Sequence, residues 1–176
     1  VVQHGGRAAT FAAAIDWLIT AGVVLPCTKV KAGELPLRAF EDVSSFKLYS
    51  SDVGLLVQQA GIPKELILKD LPNLYLGAVK ENYVAQSLRA MGYDLFYWTS
   101  DQTAELDFLL QCGMEILPIE VKKGTKVRSR SLDVYRKRYN VAKAVRFSER
   151  NFGKEGTLIS LPLYAVFALE DGRKSE

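Results

Sequence analysis

The sequence predicts a mixed α/β (α+β) chain in two parts, 1–71 and 72–176. Three observations predict it. Residues 8–50 run helix, strand, loop, strand, the outline of a small winged-helix-like unit. The second part runs helix, three closely spaced strands, helix and strand. Between the two, Pro72 punctuates residues 70–73 and marks the boundary.

The elements follow in order. Phe11, Ile15, Leu18 and Ile19 repeat at helical spacing, and Gly22 stops the helix. Residues 23–31 read as a strand, which Pro26 demotes to an edge or a bulge. Residues 32–36 are a turn or loop, and 45–49 alternate as a second strand. Ser51-Asp52 caps a short helix through Leu55, Leu56 and Val57 that Gly61 ends. Pro63 opens another short helix. Asn73 can cap a long helix through Leu76, Val79, Tyr83, Val84, Leu88 and Met91, closed by Gly92. Strands are expected at 94–99, 104–111 and 115–122, a basic helix at 129–139, a strand at 141–147 and a last apolar run at 158–169. Trp17 and Trp98 read as core residues, and Tyr135 and Tyr139, at i and i+4, as the core stripe of the basic helix.

Composition narrows the function. The chain has 176 residues, 48% hydrophobic and 24% charged, which excludes a disordered or fibrous protein. Cys27 and Cys112 are isolated, and His4 is the single histidine. No disulfide framework, cysteine-rich zinc site or two-histidine site can be built from these, and histidine-based triads are disfavoured. No apolar run is long enough to span a membrane, and the first residues lack a signal peptide's apolar core. The expected location is therefore cytoplasmic, and the missing N-terminal Met suggests a fragment. There is no phosphate-binding G-x-x-x-x-G-K-[ST] loop, so no ATP site is recognisable in this chain. The formal charge of +3 is unevenly spread. Residues 122–146 hold ten basic residues against Asp133 alone, a charge of +9, which leaves −6 elsewhere. That segment includes Lys123, Lys126, Arg128, Arg130 and Arg136, which are suited to a phosphate backbone, although a solvated helix face has the same composition.

The candidate chemistry lies on the two strands around Gly113. Each has one apolar face and one that carries charge, Asp107 on the first strand and Glu120 and Lys122 on the second. Register decides what meets. Pairing of Gln111 with Ile116 places Asp107 opposite Glu120. A tight Cys112-Gly113 turn makes them diagonal neighbours, and a three-residue turn separates them onto opposite faces. Adjacent carboxylates repel, and a divalent cation such as Mg²⁺ or Mn²⁺ removes that penalty. Lys122, two residues beyond Glu120, could then orient a water or stabilise developing charge in phosphodiester hydrolysis. Glu81, at the edge of the long helix's apolar stripe, is a possible fourth member, with Lys80 or Lys122 as alternative partners.

Residues 14–24 and 46–56, then Gly77-Ala78-Val79-Lys80-Glu81-Asn82-Tyr83-Val84, Tyr97-Trp98-Thr99, 104–110 and Pro118-Ile119-Glu120-Val121-Lys122-Lys123-Gly124, resemble an uncharacterised domain found at the C-terminus of bacterial and archaeal AAA-type ATPases. The resemblance covers nearly the whole chain. It implies a winged-helix-like first part and a PD-(D/E)XK restriction-endonuclease-like core, a central mixed sheet flanked by helices. It further implies a metal site of Glu81, Asp107 and Glu120 with Lys122 beside it, and an N-terminal ATPase module in the full protein. Thr99-Ser100 follow Trp98 where relatives often place an Arg. The expected function is a Mg²⁺-dependent nuclease-like domain that binds nucleic acid, DNA first, and cleaves it. The alternative is a non-catalytic nucleic-acid- or protein-binding module serving the ATPase.

Overall fold

Strand alternation along the chain builds one eight-stranded sheet in the computed structural model, which describes residues 11–69, 75–100, 104–122, 124 and 129–169. Helix α1 is Ala12–Thr20, followed by β1, Val24–Val30, and β2, Glu41–Ser50. Helices α2, Val53–Gln59, and α3, Lys64–Leu68, come next. The second part contributes α4, Leu76–Ala90, β3, Leu95–Thr99, β4, Glu105–Cys112, and β5, Glu115–Val121. Then come α5, Arg130–Tyr139, β6, Ala144–Ser148, β7, Gly153–Glu155, and β8, Leu158–Pro162. The order across the sheet is β2-β1-β3-β4-β5-β6-β8-β7. The β1–β3, β5–β6 and β6–β8 pairs are parallel and the rest antiparallel.

The local signals act as physics requires. The Asp52 carboxylate accepts from the Leu55 N–H at 2.8 Å and caps α2, and Gly61 leaves that helix at φ 62°. The Ser129 hydroxyl accepts from the Leu132 N–H at 3.1 Å to cap α5, which Asn140 ends in the left-handed region. Gly113, at φ 61°, opens the two-residue turn between β4 and β5. The expected cap at Asn73 lies outside the described residues. The last apolar run divides into β8 and a short 3-10 turn at Leu163–Ala168.

Each face of the sheet carries a core. On one side Val84, Ala85 and Leu88 of α4 pack on Phe108, Leu110, Ile119, Val145 and Phe147. On the other, Leu132 and Tyr135 of α5 pack on Trp98, Leu106 and Leu109. Trp98 meets the rings of Tyr135 and Tyr139 edge-on at 5.2 and 5.9 Å, so Tyr135 is a core residue and Tyr139, partly buried, packs against the same core, on the stripe their spacing predicts. Trp17 is not one. It is 69% exposed, because α1 buries none of its side chains. Pro26 is not at an edge either, since β1 lies between β2 and β3. It faces Leu48 of β2, and pairing with β3 starts one residue later, at Cys27, so its missing N–H removes no bond from that ladder.

Candidate functional site

The β4–β5 hairpin has the register in which Gln111 faces Ile116 and Phe108 faces Ile119, and the ladder ends there, one residue short of Asp107 and Glu120. A second feature intervenes. Along the β3–β4 pair, Phe96 faces Leu109 but Trp98 faces Leu106, so β4 holds one extra residue at 107–108. Leu106 and Leu109 both enter the core beneath α5, and Phe108 enters the core beneath α4. Such a bulge turns the side chains that follow it over to the other face. Asp107 consequently shares the α4 side with Phe108. Glu120 lies between Ile119 and Val121, which pack on the α4 side, and alternation sends it to the α5 side. The two carboxylates therefore lie on opposite faces of the sheet.

On the α4 side, Glu81 meets two residues of β2 that share a face. The Tyr49 hydroxyl donates to Glu81 Oε1, and Lys47 Nζ lies 3.1 Å from the same oxygen. Lys47 also reaches Glu105 Oε1 at 2.6 Å and lies 5.0 Å over the Tyr97 ring. Burial works against the Lys47 charge, but Glu81 and Glu105 hold its ammonium well above the usual lysine value. Burial, and then the Glu81 charge, push the Tyr49 hydroxyl up as well. Asp107 Oδ2 accepts from the Val121 N–H at 2.7 Å. Burial first, then the Glu81 charge, raise the Asp107 carboxyl to about 7.

On the α5 side, Glu120 is 3% exposed. One carboxylate oxygen pairs with the Lys122 ammonium, and the other has no hydrogen-bond donor among the described residues. Burial raises the Glu120 carboxyl against the opposing pull of Lys122 and Arg146. Arg146 faces Glu120 across the β5–β6 ladder and donates to the Ser160 hydroxyl of β8 at 2.7 Å.

The structure thus joins Glu81 to Asp107 through their charges and Glu120 to Lys122 through an ion pair, on two faces of one hairpin. The link between the pairs is the Val121 N–H, held by Asp107 and lying between Glu120 and Lys122. Among the described residues, no group of three or more His, Cys, Asp or Glu side chains is placed to hold a metal ion. Lys123, Lys126 and Arg128 lie outside the described residues. Arg130 is exposed, and Arg136 donates to the Thr157 hydroxyl. Sequence reasoning missed Lys47 and Tyr49. The signal was present, since they alternate on the strand read at 45–49 and so share a face. It also counted Arg146 as one more charge in the basic run, when that side chain is in fact buried beside Glu120.

Fold and site together define a mixed α/β domain whose central hairpin carries a buried, ion-paired Glu120 on one face and Asp107 on the other. The chain belongs to the family described as Domain of unknown function (DUF4143), whose family model matches residues 76–164. This domain is often found at the C-terminus of AAA-ATPase-like proteins. Residues 1–66 match a second family, Domain of unknown function (DUF8612). An uncharacterized protein of Mycobacterium tuberculosis and one of Mycobacterium bovis are each 36% identical over 89 residues, 49% of this chain and 20% of each relative. The matched stretch therefore spans about a fifth of the length of those relatives. No solved structure matches the chain. No described helix is long and apolar enough to cross a membrane.

Proposed function

We propose that this chain is a nuclease-like, nucleic-acid-binding domain of a cytoplasmic AAA-type ATPase, with a PD-(D/E)XK-like core over 72–176 and a winged-helix-like part before it. The observation that carries the binding reading is the charge of α5. Its core stripe, Leu132 and Tyr135, is buried, while Arg130, Lys137 and Arg138 remain exposed on the helix that follows the Glu120–Lys122 strand. A cationic helix face of this kind attracts a phosphate backbone.

Hydrolysis is the narrower part of the proposal. Asp107 and Glu120 supply hard carboxylate oxygens, and the buried Glu120 oxygen without a donor is the kind of atom that Mg²⁺ or Mn²⁺ would satisfy. Mg²⁺ accepts one or two carboxylates together with water, so one ion held by both residues, with Glu81 as an accessory ligand or base, would require Asp107 to turn from the α4 side towards Glu120. A bound ion would polarise the phosphate and lower the pKa of its water. Lys122 would hold the developing negative charge, and Arg146 would keep Glu120 ionised from the adjacent strand. The non-catalytic reading has an observation of its own. Lys47 already pairs with both Glu81 and Glu105, so the α4 side is partly neutralised without a metal.

The test compares wild type, Asp107→Asn and Glu120→Gln on DNA and RNA with Mg²⁺ or Mn²⁺. Cleavage by wild type alone supports the nuclease. Salt-sensitive binding by all three without cleavage supports the binding module, with DNA the expected preference. Absence of binding at low salt rejects both nucleic-acid readings and leaves a protein partner, the ATPase module, as the remaining function.

A further inference from the structure

Beyond the carboxyl end of β6 the chain turns through residues 149–152 before β7, and this turn walls a cavity of roughly 480 Å³. Ligands of open α/β sheets bind outside the carboxyl ends of parallel strands, and β5, β6 and β8 all run parallel here. Arg146 lines the floor, its guanidinium oriented by the Ser160 hydroxyl, with Glu120 on the neighbouring strand. Arg150 and Lys154 line the wall, and both are exposed. Two acids also line the cavity. The Glu149 carboxylate is held by Lys80, and Glu120 lies beside Arg146, which leaves Glu155 to set against the exposed Arg150 and Lys154. The remaining wall is Phe152, 60% exposed and edge-on to Tyr164 at 6.5 Å. An exposed aromatic ring beside clustered cations is the arrangement that stacks a base while its phosphate is neutralised.

From this combination we propose that the cavity binds one nucleotide unit, its phosphate on Arg150 and Lys154 above the buried Arg146 and its base on Phe152. The chain leaving β5 passes the same place, since a Cβ at Gly124 would lie 3.9 Å from Glu149 Oε2. The cavity therefore continues the path set by the Glu120–Lys122 end of the hairpin. This inference rests on the nucleic-acid reading above and sharpens it, because stacking on Phe152 requires an unpaired base and so selects single strands over duplex.

The experiment is fluorescence anisotropy of the full chain with a labelled single-stranded oligonucleotide and with its duplex. Phe152→Ala should weaken single-strand binding at least about fivefold and leave duplex binding and thermal stability unchanged. Arg150→Ala and Lys154→Ala should each reduce the salt slope of single-strand binding by about 1. AMP should displace the oligonucleotide better than inorganic phosphate does. Tight binding of AMP alone that Phe152→Ala abolishes also supports the cavity, with a free nucleotide as its source. Unchanged single-strand affinity in Phe152→Ala, or equal displacement by inorganic phosphate, overturns the proposal. If Arg130→Glu abolishes binding and Phe152→Ala does not, the cavity assignment fails while the nucleic-acid reading stands. If wild type binds neither strand form at low salt, both fail.

Discussion

At the scale of single residues, Asp107 is the group whose charge state carries the most consequence. Its carboxyl titrates near 7 in the fold against an ordinary value of 3.8. Between about pH 4 and pH 7 the folded chain thus keeps a proton that the unfolded chain has released. This contribution to stability is complete below about pH 4, falls as pH rises towards 7, and is flat beyond it. Asp107→Asn removes the titration and still offers an oxygen to the Val121 N–H. Its urea midpoint should vary less than that of wild type from pH 4 to 7, and should exceed wild type at pH 8. Parallel curves for the two proteins would refute this assignment. The identity of the residue was legible in the sequence, as a charge on an apolar strand. Its direction was not. The bulge exists because Leu106 and Leu109 both seat in the core beneath α5, a tertiary demand that strand alternation cannot express.

At the scale of elements, β2 and α4 are bound by polar groups as much as by packing. Asn82, 2% exposed, accepts from the Ser50 N–H at 2.7 Å and donates to the Ser50 carbonyl at 3.0 Å, so its side chain acts as a short strand beside the outer edge of β2. Gln86, one turn on, accepts from the Val53 N–H at 2.9 Å. Replacing Asn82 by Ala leaves the Ser50 groups without these partners and should cost about 2 kcal/mol in a urea titration. Asn82→Leu, which keeps the volume but neither polar atom, should cost about as much. A clearly smaller loss in Asn82→Leu than in Asn82→Ala would show that volume, not hydrogen bonding, matters at this position. Lys47 works in the same seam. Lys47→Ala strands the half-buried Glu81 and Glu105 carboxylates and should destabilise by about 2 kcal/mol, much of it recovered when Glu81→Gln is added. Additive losses across that double-mutant cycle would mean that the ion pair contributes nothing. The helices and the hairpin of the second part were readable, because period and caps are local, whereas alternation predicts one apolar face on each hairpin strand and the structure buries a core on both. Asn82 was passed over since a polar residue on a helix reads as solvent-facing until the strand it serves is known.

At the scale of the whole molecule, the two parts read from the sequence share one sheet. Residues 8–50 supply β1 and β2, and β1 pairs with β3 in parallel from Cys27↔Leu95 to Val30↔Trp98. That contact was invisible in sequence, where Pro72 separates partners that lie far apart along the chain and parallel pairing leaves no turn signal. It has a consequence for stability. β3 reads Leu-Phe-Tyr-Trp-Thr and is buried at four of its five positions. Without β1 it becomes an edge strand with no charge, proline or bulge of its own, the kind that pairs with other chains. A chain that starts at residue 72 should therefore bind a hydrophobic dye and aggregate, although it retains α4, α5 and the remaining strands. The full chain should unfold in one transition, with the fluorescence of buried Trp98 and far-ultraviolet dichroism coinciding. The exposed Trp17 adds emission that changes little, so a Trp17→Phe variant gives the cleaner trace. A soluble monomer from residue 72 onward with native Trp98 emission, or two separated transitions in the full chain, would show that the parts fold independently. In that event Lys47 and Tyr49 would only dock against Glu81, and the charge balance of the α4 side would depend on whether the two parts are joined.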